Sequence, residues 1–241
     1  MVYWNKAGRR WNLFYVAYYA SPNTKEEFRW NSLGKIYQAQ SVHAGISGIS
    51  GPYKDIGILM QPGKDSDPWE GLQGVDSFYP WQVDNTWYAF YGSAKTEHRP
   101  ITSWLIGYAT APSVNGPWKR IPEKNPAAIE KRFIENPIVK KLKSGGWICV
   151  YDNDKRDAIG WAYSKDGINW SEGQSLVIQP SPGKWSKDVR TVLGIADEGN
   201  NRFTLFYTGF EQNPEWDNLM KGRTDGISCA VGFVEIEIVG P

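Results

Sequence analysis

Carboxylates are the side chains whose spacing in this sequence points most clearly to chemistry. Asp76 stands in Gly74-Val-Asp-Ser-Phe-Tyr-Pro, Glu135 in Phe133-Ile-Glu-Asn-Pro-Ile and Asp188 in Lys187-Asp-Val-Arg-Thr. Each leads into a short apolar run and precedes a segment opened by a large aromatic residue, by 11, 12 and 15 residues respectively. One acid of this kind reads as a turn residue, because Asp favours the loops that run into strands. Three at matching points raise another expectation. If repeated elements aim them at one cavity, clustered carboxylates raise one another's pKa, and one can stay protonated as a general acid.

The elements that must position these acids are visible as a repeat. Trp11-Asn-Leu-Phe-Tyr15, Trp87-Tyr-Ala-Phe-Tyr91, Trp147-Ile-Cys-Val-Tyr151 and Phe203-Thr-Leu-Phe-Tyr207 share an aromatic start and a Tyr four positions later. Their starts lie 76, 60 and 56 residues apart. Alternation and aromatic or β-branched content mark each as a strand. A second template follows each one: Ile36-Tyr-Gln-Ala39, Ile106-Gly-Tyr-Ala109, Ile159-Gly-Trp-Ala162 and Ile227-Ser-Cys-Ala230. Gly51-Pro-Tyr53, Gly116-Pro-Trp118 and Gly167-Ile-Asn-Trp170 then close the first three units, and Asp166-Gly167 is a hairpin signal. Phe78-Tyr-Pro-Trp, Ile138-Val-Lys-Lys-Leu and Val189-Arg-Thr-Val supply a further strand ahead of the aromatic ones. Four-stranded antiparallel units recurring at about 60 residues are the blades of a β-propeller.

Composition narrows the chemistry. The 241 residues carry 27 basic and 26 acidic side chains, a net charge of +1. That balance offers no cationic excess to neutralise a phosphate backbone, which argues against nucleic acid as a partner, and no apolar run is long enough to span a bilayer. The 13 Trp, 13 Tyr and 9 Phe fill cores well on pleated sheets, and some rings could instead stack on sugars. Cys149 and Cys229 are too few for a disulfide scaffold and fit no metal-ligand spacing; both fall in expected strands, where a free thiol serves as a small hydrophobe. Met1-Val-Tyr-Trp4 shows no signal-peptide pattern and reads as the middle of a strand.

Taken together, the pattern resembles the five-bladed glycoside hydrolases of family 43 and clan relatives such as family 32. The resemblance rests on Asp76 with its Phe78-Tyr-Pro run, and on Glu135-Asn136-Pro137 followed by Lys140-Lys141 and the Trp147 segment, with Asn where the family has Gly. It implies an all-β fold, a single β-propeller domain over 1–241 with blades at about 1–56, 74–120, 133–172 and 186–238. It implies a glycoside hydrolase in which Glu135 is the general acid and Asp76 holds the acid and tunes its pKa. The family's base opens the first blade, and projecting 11 or 12 residues back from Trp11 reaches position 0 or −1, just ahead of Met1. The resemblance implies a carbohydrate substrate and no catalytic cofactor, and it admits a structural calcium in the central channel. An incomplete propeller would close with a missing part or a partner chain.

Residues around the expected site carry open alternatives. Glu70, in Trp69-Glu70-Gly-Leu-Gln73, could be a further pocket acid, and Trp69 and Tyr79 could meet a sugar ring, although alternation lets only one parity of the Tyr79–Trp81 strand face a channel. His98 is a loop residue or a contact to a sugar hydroxyl. Arg190 binds substrate or pairs with Asp188. Asp152-Asn153-Asp154 looks like a calcium loop but lacks the full ligand spacing, so it reads as a turn; Lys140 and Lys141 read as solvated. Other functions consistent with the sequence are a non-catalytic carbohydrate-binding propeller and a propeller-type phosphorylase. A protein-binding propeller of the Trp-Asp or kelch sort is disfavoured, since neither repeat signature occurs.

Overall fold

The computed structural model describes residues 1–19, 31–98, 101, 103–155, 157–179, 185–211 and 229–239. They form four antiparallel sheets, each an up-and-down meander. Sheet 1 contains β1 (Val2–Asn5), β2 (Arg10–Ala17), β3 (Lys35–Ser41) and β4 (Tyr53–Met60). Sheet 2 contains β5 (Asp76–Val83), β6 (Thr86–Ala94), β7 (Trp104–Ala111) and β8 (Lys119–Arg120). Sheet 3 contains β9 (Glu135–Lys141), β10 (Trp147–Asp152), β11 (Ala158–Ser164) and β12 (Gln174–Val177). Sheet 4 has three strands among the described residues, β13 (Asp188–Gly199), β14 (Arg202–Phe210) and β15 (Cys229–Glu237). The only helical pieces among the described residues are short 3₁₀ turns, and no helix there is long and apolar enough to cross a membrane. The fold class is an all-β propeller of antiparallel blades, as the repeat implies.

The chain divides into two compact units, Met1–Ala127 and Ala128–Pro241. Sheets 1 and 2 share one apolar core in the first, where Phe14, Ile36 and Met60 join Val75, Phe78, Tyr91, Ala109 and Trp118. Sheets 3 and 4 share another in the second, built on Ile148, Val150 and Ile159 with Val189, Val192, Leu205 and Tyr207. Alternate residues are the more buried ones in β9, as a period-2 pattern demands, whereas β10 is buried on both faces.

The Tyr that ends the first template lies opposite a glycine in three sheets. Tyr91 pairs across to Gly107, Tyr151 to Gly160 and Tyr207 to Gly232. A Cβ at Gly160 would fall on the Tyr151 ring, and one at Gly232 would lie 2.7 Å from Tyr207; the missing side chain is the space the aromatic fills. In sheet 1 that place belongs to Tyr37, which stacks on Tyr15 at 5.4 Å. This register corrects the fourth copy of the second template. Val231-Gly232, and not the Ile227 segment, is the counterpart of Ile106-Gly107 and Ile159-Gly160; Ile227 itself lies outside the described residues.

Two smaller expectations are also revised. Tyr53 does open the outer strand of sheet 1, but in sheet 3 Trp170 only bridges to Ser164 and the outer strand starts at Gln174. The Asp166 carboxylate makes this turn tight, accepting the N–H groups of Ile168 and Asn169, both at 2.8 Å. Those bonds hold its carboxyl well below the usual carboxylate range. Cys149 is buried, and desolvation raises its thiol pKa, whereas Cys229 is exposed rather than a core filler.

Candidate active-site carboxylates

Asp76 opens β5 and is 3% exposed. It pairs across to Gly92 through a bulge in which three residues of β5 advance against two of β6, and Ser77 carries the bulge with φ 47°. A side chain at Gly92 would collide with Asp76 Oδ1, so the glycine makes room for the carboxylate. The Tyr18 hydroxyl donates to Oδ2 at 2.8 Å and the Gln73 amide at 2.7 Å. Burial pushes the Asp76 pKa up to about 6, against the opposing pull of the Tyr18 and Ser77 hydroxyls.

The loop that delivers Asp76 is held by a buried polar network. Arg120 grips Glu70 with two bonds, Nε to Oε1 at 2.6 Å and Nη2 to Oε2 at 2.9 Å, and both side chains are about 5% exposed. The Tyr91 hydroxyl lies 3.1 Å from both Glu70 Oε1 and Asp67 Oδ2, and Asn125 donates to Asp67 at 2.6 Å. Glu70, expected as a pocket acid, is therefore engaged as the anion of a buried ion pair. Trp69 packs against Tyr91 at 5.6 Å between centroids and joins the apolar core. Tyr79 is half-buried opposite Phe90. His98 sits exposed in the turn after β6, with its N–H bonded to the Lys95 carbonyl at 3.1 Å.

In the second unit Glu135 is the half-buried first residue of β9 and pairs across to Asp152. The same bulge recurs. Glu135 and Ile138 face Asp152 and Val150, three residues against two, and Asn136 carries φ 51°. Asp76 and Glu135 therefore hold equivalent register positions in their own sheets. Here too a tyrosine anchors the preceding loop, with Tyr151 donating to Glu130 at 2.7 Å.

Sheet 4 changes the third acid. Its bulge residue with positive φ is Thr191, at 26°, so the counterpart of Asp76 and Glu135 is Arg190, which pairs with Thr208. Asp188 lies two residues earlier, opposite Phe210. The expectation of three acids at equivalent points is corrected to two acids and a guanidinium. Arg190 lies over the Phe133 ring at 5.3 Å, and its charge acts on Asp152.

Asp152 was missed as a site residue. It is 2% exposed and ends β10, and it does not belong to a free turn. It accepts from Asn136 Nδ2 at 3.2 Å and from the Val192 N–H at 3.0 Å. Desolvation raises its pKa, and Arg190, Asn136, Val192 and Thr191 oppose that rise. The signal was present in the repeat: Asp152 falls five residues after Trp147, as Gly92 falls five after Trp87. Asn153 caps Lys155 N at 3.0 Å, and Asp154 pairs with Arg132. Among the described residues no three His, Cys, Asp or Glu side chains are grouped closely enough to hold a metal ion. Lys141 extends over the Trp147 ring at 5.4 Å.

Antiparallel meander sheets, two of them with an acid on a bulged first strand, are the blades of a propeller fold. Solved structures share that fold. An endo-arabinase from Bacteroides thetaiotaomicron matches with a TM-score of 0.62 at 16% identity, over 97% of this chain and 73% of that one. An α-L-arabinofuranosidase from Clostridium thermocellum matches with a TM-score of 0.63 at 12% identity, over 98% of this chain and 67% of that one. A family 32 β-fructofuranosidase from Bombyx mori matches with a TM-score of 0.60 at 15% identity, over 95% of this chain and 44% of that one. No protein-family model matches the sequence, and no curated protein sequence does.

Proposed function

We propose that this chain is a glycoside hydrolase-like propeller that cleaves glycosidic bonds of an oligo- or polysaccharide. One observation carries the proposal. Asp76 and Glu135 occupy the same bulged position on the first strands of two sheets, in a fold shared with an arabinase, an arabinofuranosidase and a fructofuranosidase. Glu135, half-buried at the start of its strand, is the general acid that protonates the leaving oxygen. Asp76, buried and with its pKa near 6, is the group that tunes it. Arg190 and Asp188 are substrate-binding residues in this scheme, with Tyr79 and His98 as outer contacts. The base that activates water has no assigned residue in this scheme.

The guanidinium of Arg190 at the point where sheet 4 would carry a third acid favours one alternative, a propeller that binds carbohydrate without cleaving it. The two readings separate in a single assay. Arabinan, xylan and fructan fragments, with the matching aryl glycosides, are incubated with the chain while binding is followed by calorimetry. Release of reducing sugar supports the hydrolase. Affinity without release supports the binding propeller, and neither affinity nor release overturns both.

A further inference from the structure

We propose that Asp152 is a positioning residue for Glu135, coupling it to Arg190. The inference deepens the hydrolase assignment and rests on Glu135 being its acid. Three facts on neighbouring strands carry it. Asp152 stands directly across from Glu135, a relation that places the two backbones about 5 Å apart. Its two carboxylate oxygens are divided between strands, Oδ2 accepting from Asn136 of β9 and Oδ1 from the Val192 N–H of β13. Asn136 and Thr191 are the positive-φ residues of the two bulges, immediately following Glu135 and Arg190.

One buried carboxylate thus fixes the two bent segments that aim an acid and a guanidinium. A bulge re-aims the side chain beside it, and a bond from its own residue, or from the next N–H, sets the angle. The same carboxylate offsets the charge of Arg190, which lies over Phe133, two residues before Glu135. Asp152 touches no reacting atom in this scheme. It governs where the Glu135 proton is held and how much positive charge that proton feels. The charged residues on β9 and on the adjoining strand segments are Asp152 on β10, Asp188 and Arg190 at the start of β13, and Lys140 and Lys141 at the far end of β9 itself.

The test is Asp152→Asn, with Asp152→Ala as a second variant and thermal melting to confirm folding. On aryl glycosides with a poor leaving group, which needs the acid, kcat should fall on the order of tenfold or more. On dinitrophenyl glycosides, which leave without a proton, it should fall less than about threefold; KM should change little in both cases. Equal loss on both substrates would mark a merely structural residue and overturn the proposal. If the unaltered chain turns over no glycoside, the hydrolase assignment fails by itself and the carboxyl titration of Glu135 decides. By ¹³C NMR, with Glu135→Gln assigning the signal, Asp152→Asn should lower the Glu135 midpoint by about a unit as Arg190 loses its counter-charge. An unmoved midpoint would overturn the coupling.

Discussion

At the scale of single residues, Asp76 makes a prediction about pH. Its pKa in the folded chain is near 6 against an ordinary 3.8, so the folded state binds the proton more tightly than the unfolded chain does. Its contribution to stability is therefore fully present below about pH 4 and lost as pH rises through 6. Asp76→Asn keeps an acceptor for Tyr18 and Gln73 and removes the buried charge. The variant should gain about 2 kcal/mol over the natural chain above pH 6, relative to their difference at pH 4. Thermal melts from pH 3.5 to 8 would check this, and a difference constant with pH would contradict it. Sequence spacing was enough to single out Asp76 and Glu135, because each lies 11 or 12 residues before its aromatic. It misplaced the third position because β13 absorbs extra residues in its bulges, and bulges leave no compositional mark. The 15-residue interval at Asp188 was the one visible warning.

At the scale of strands and loops, Tyr151 does two things at once. Its ring takes the space of a missing side chain at Gly160, and its hydroxyl holds the Glu130 carboxylate ahead of the acid-bearing strand. Tyr151→Phe keeps the ring and frees Glu130, which should cost about 1–2 kcal/mol in urea unfolding. Gly160→Ala drives a methyl into the Tyr151 ring and should cost more, roughly 2–3 kcal/mol. A smaller loss for the alanine than for the phenylalanine would contradict the ring-over-glycine packing. The aromatic half of this pairing was legible as a template. The glycine half was legible in sheets 2 and 3 and misaligned in sheet 4, where Ile227 and Ala230 copy the spacing but Gly232 does the packing. Glu70 misled for a related reason. Its partner Arg120 is 50 residues away, and only the folded chain reveals that the acid is already neutralised.

At the scale of the whole molecule, the propeller class was readable because one strand template recurring four times, with its partner strand correctly placed in three units, constrains the topology more than any one strand does. Which sheet faces stay uncovered was not readable. Phe206 and Phe233 lie 6.4 Å apart on one face of sheet 4, with Phe233 66% and Val231 67% exposed. Exposed apolar surface of that kind favours association, most strongly where net charge is near zero, and the pI is about 7.7. Light scattering should show mass rising with concentration at pH 7.7, and Phe233→Ser should reduce that rise; equal curves for the two would contradict it.

The functional assignment stands on Glu135, and one substitution probes it. Glu135→Gln keeps the shape of the side chain and removes the proton it would deliver. Measured on the glycoside that the natural chain hydrolyses best, turnover should fall by about a thousandfold or more, with sugar affinity and melting temperature unchanged. Turnover in the Gln variant equal to that of the natural chain would show that the acid lies elsewhere.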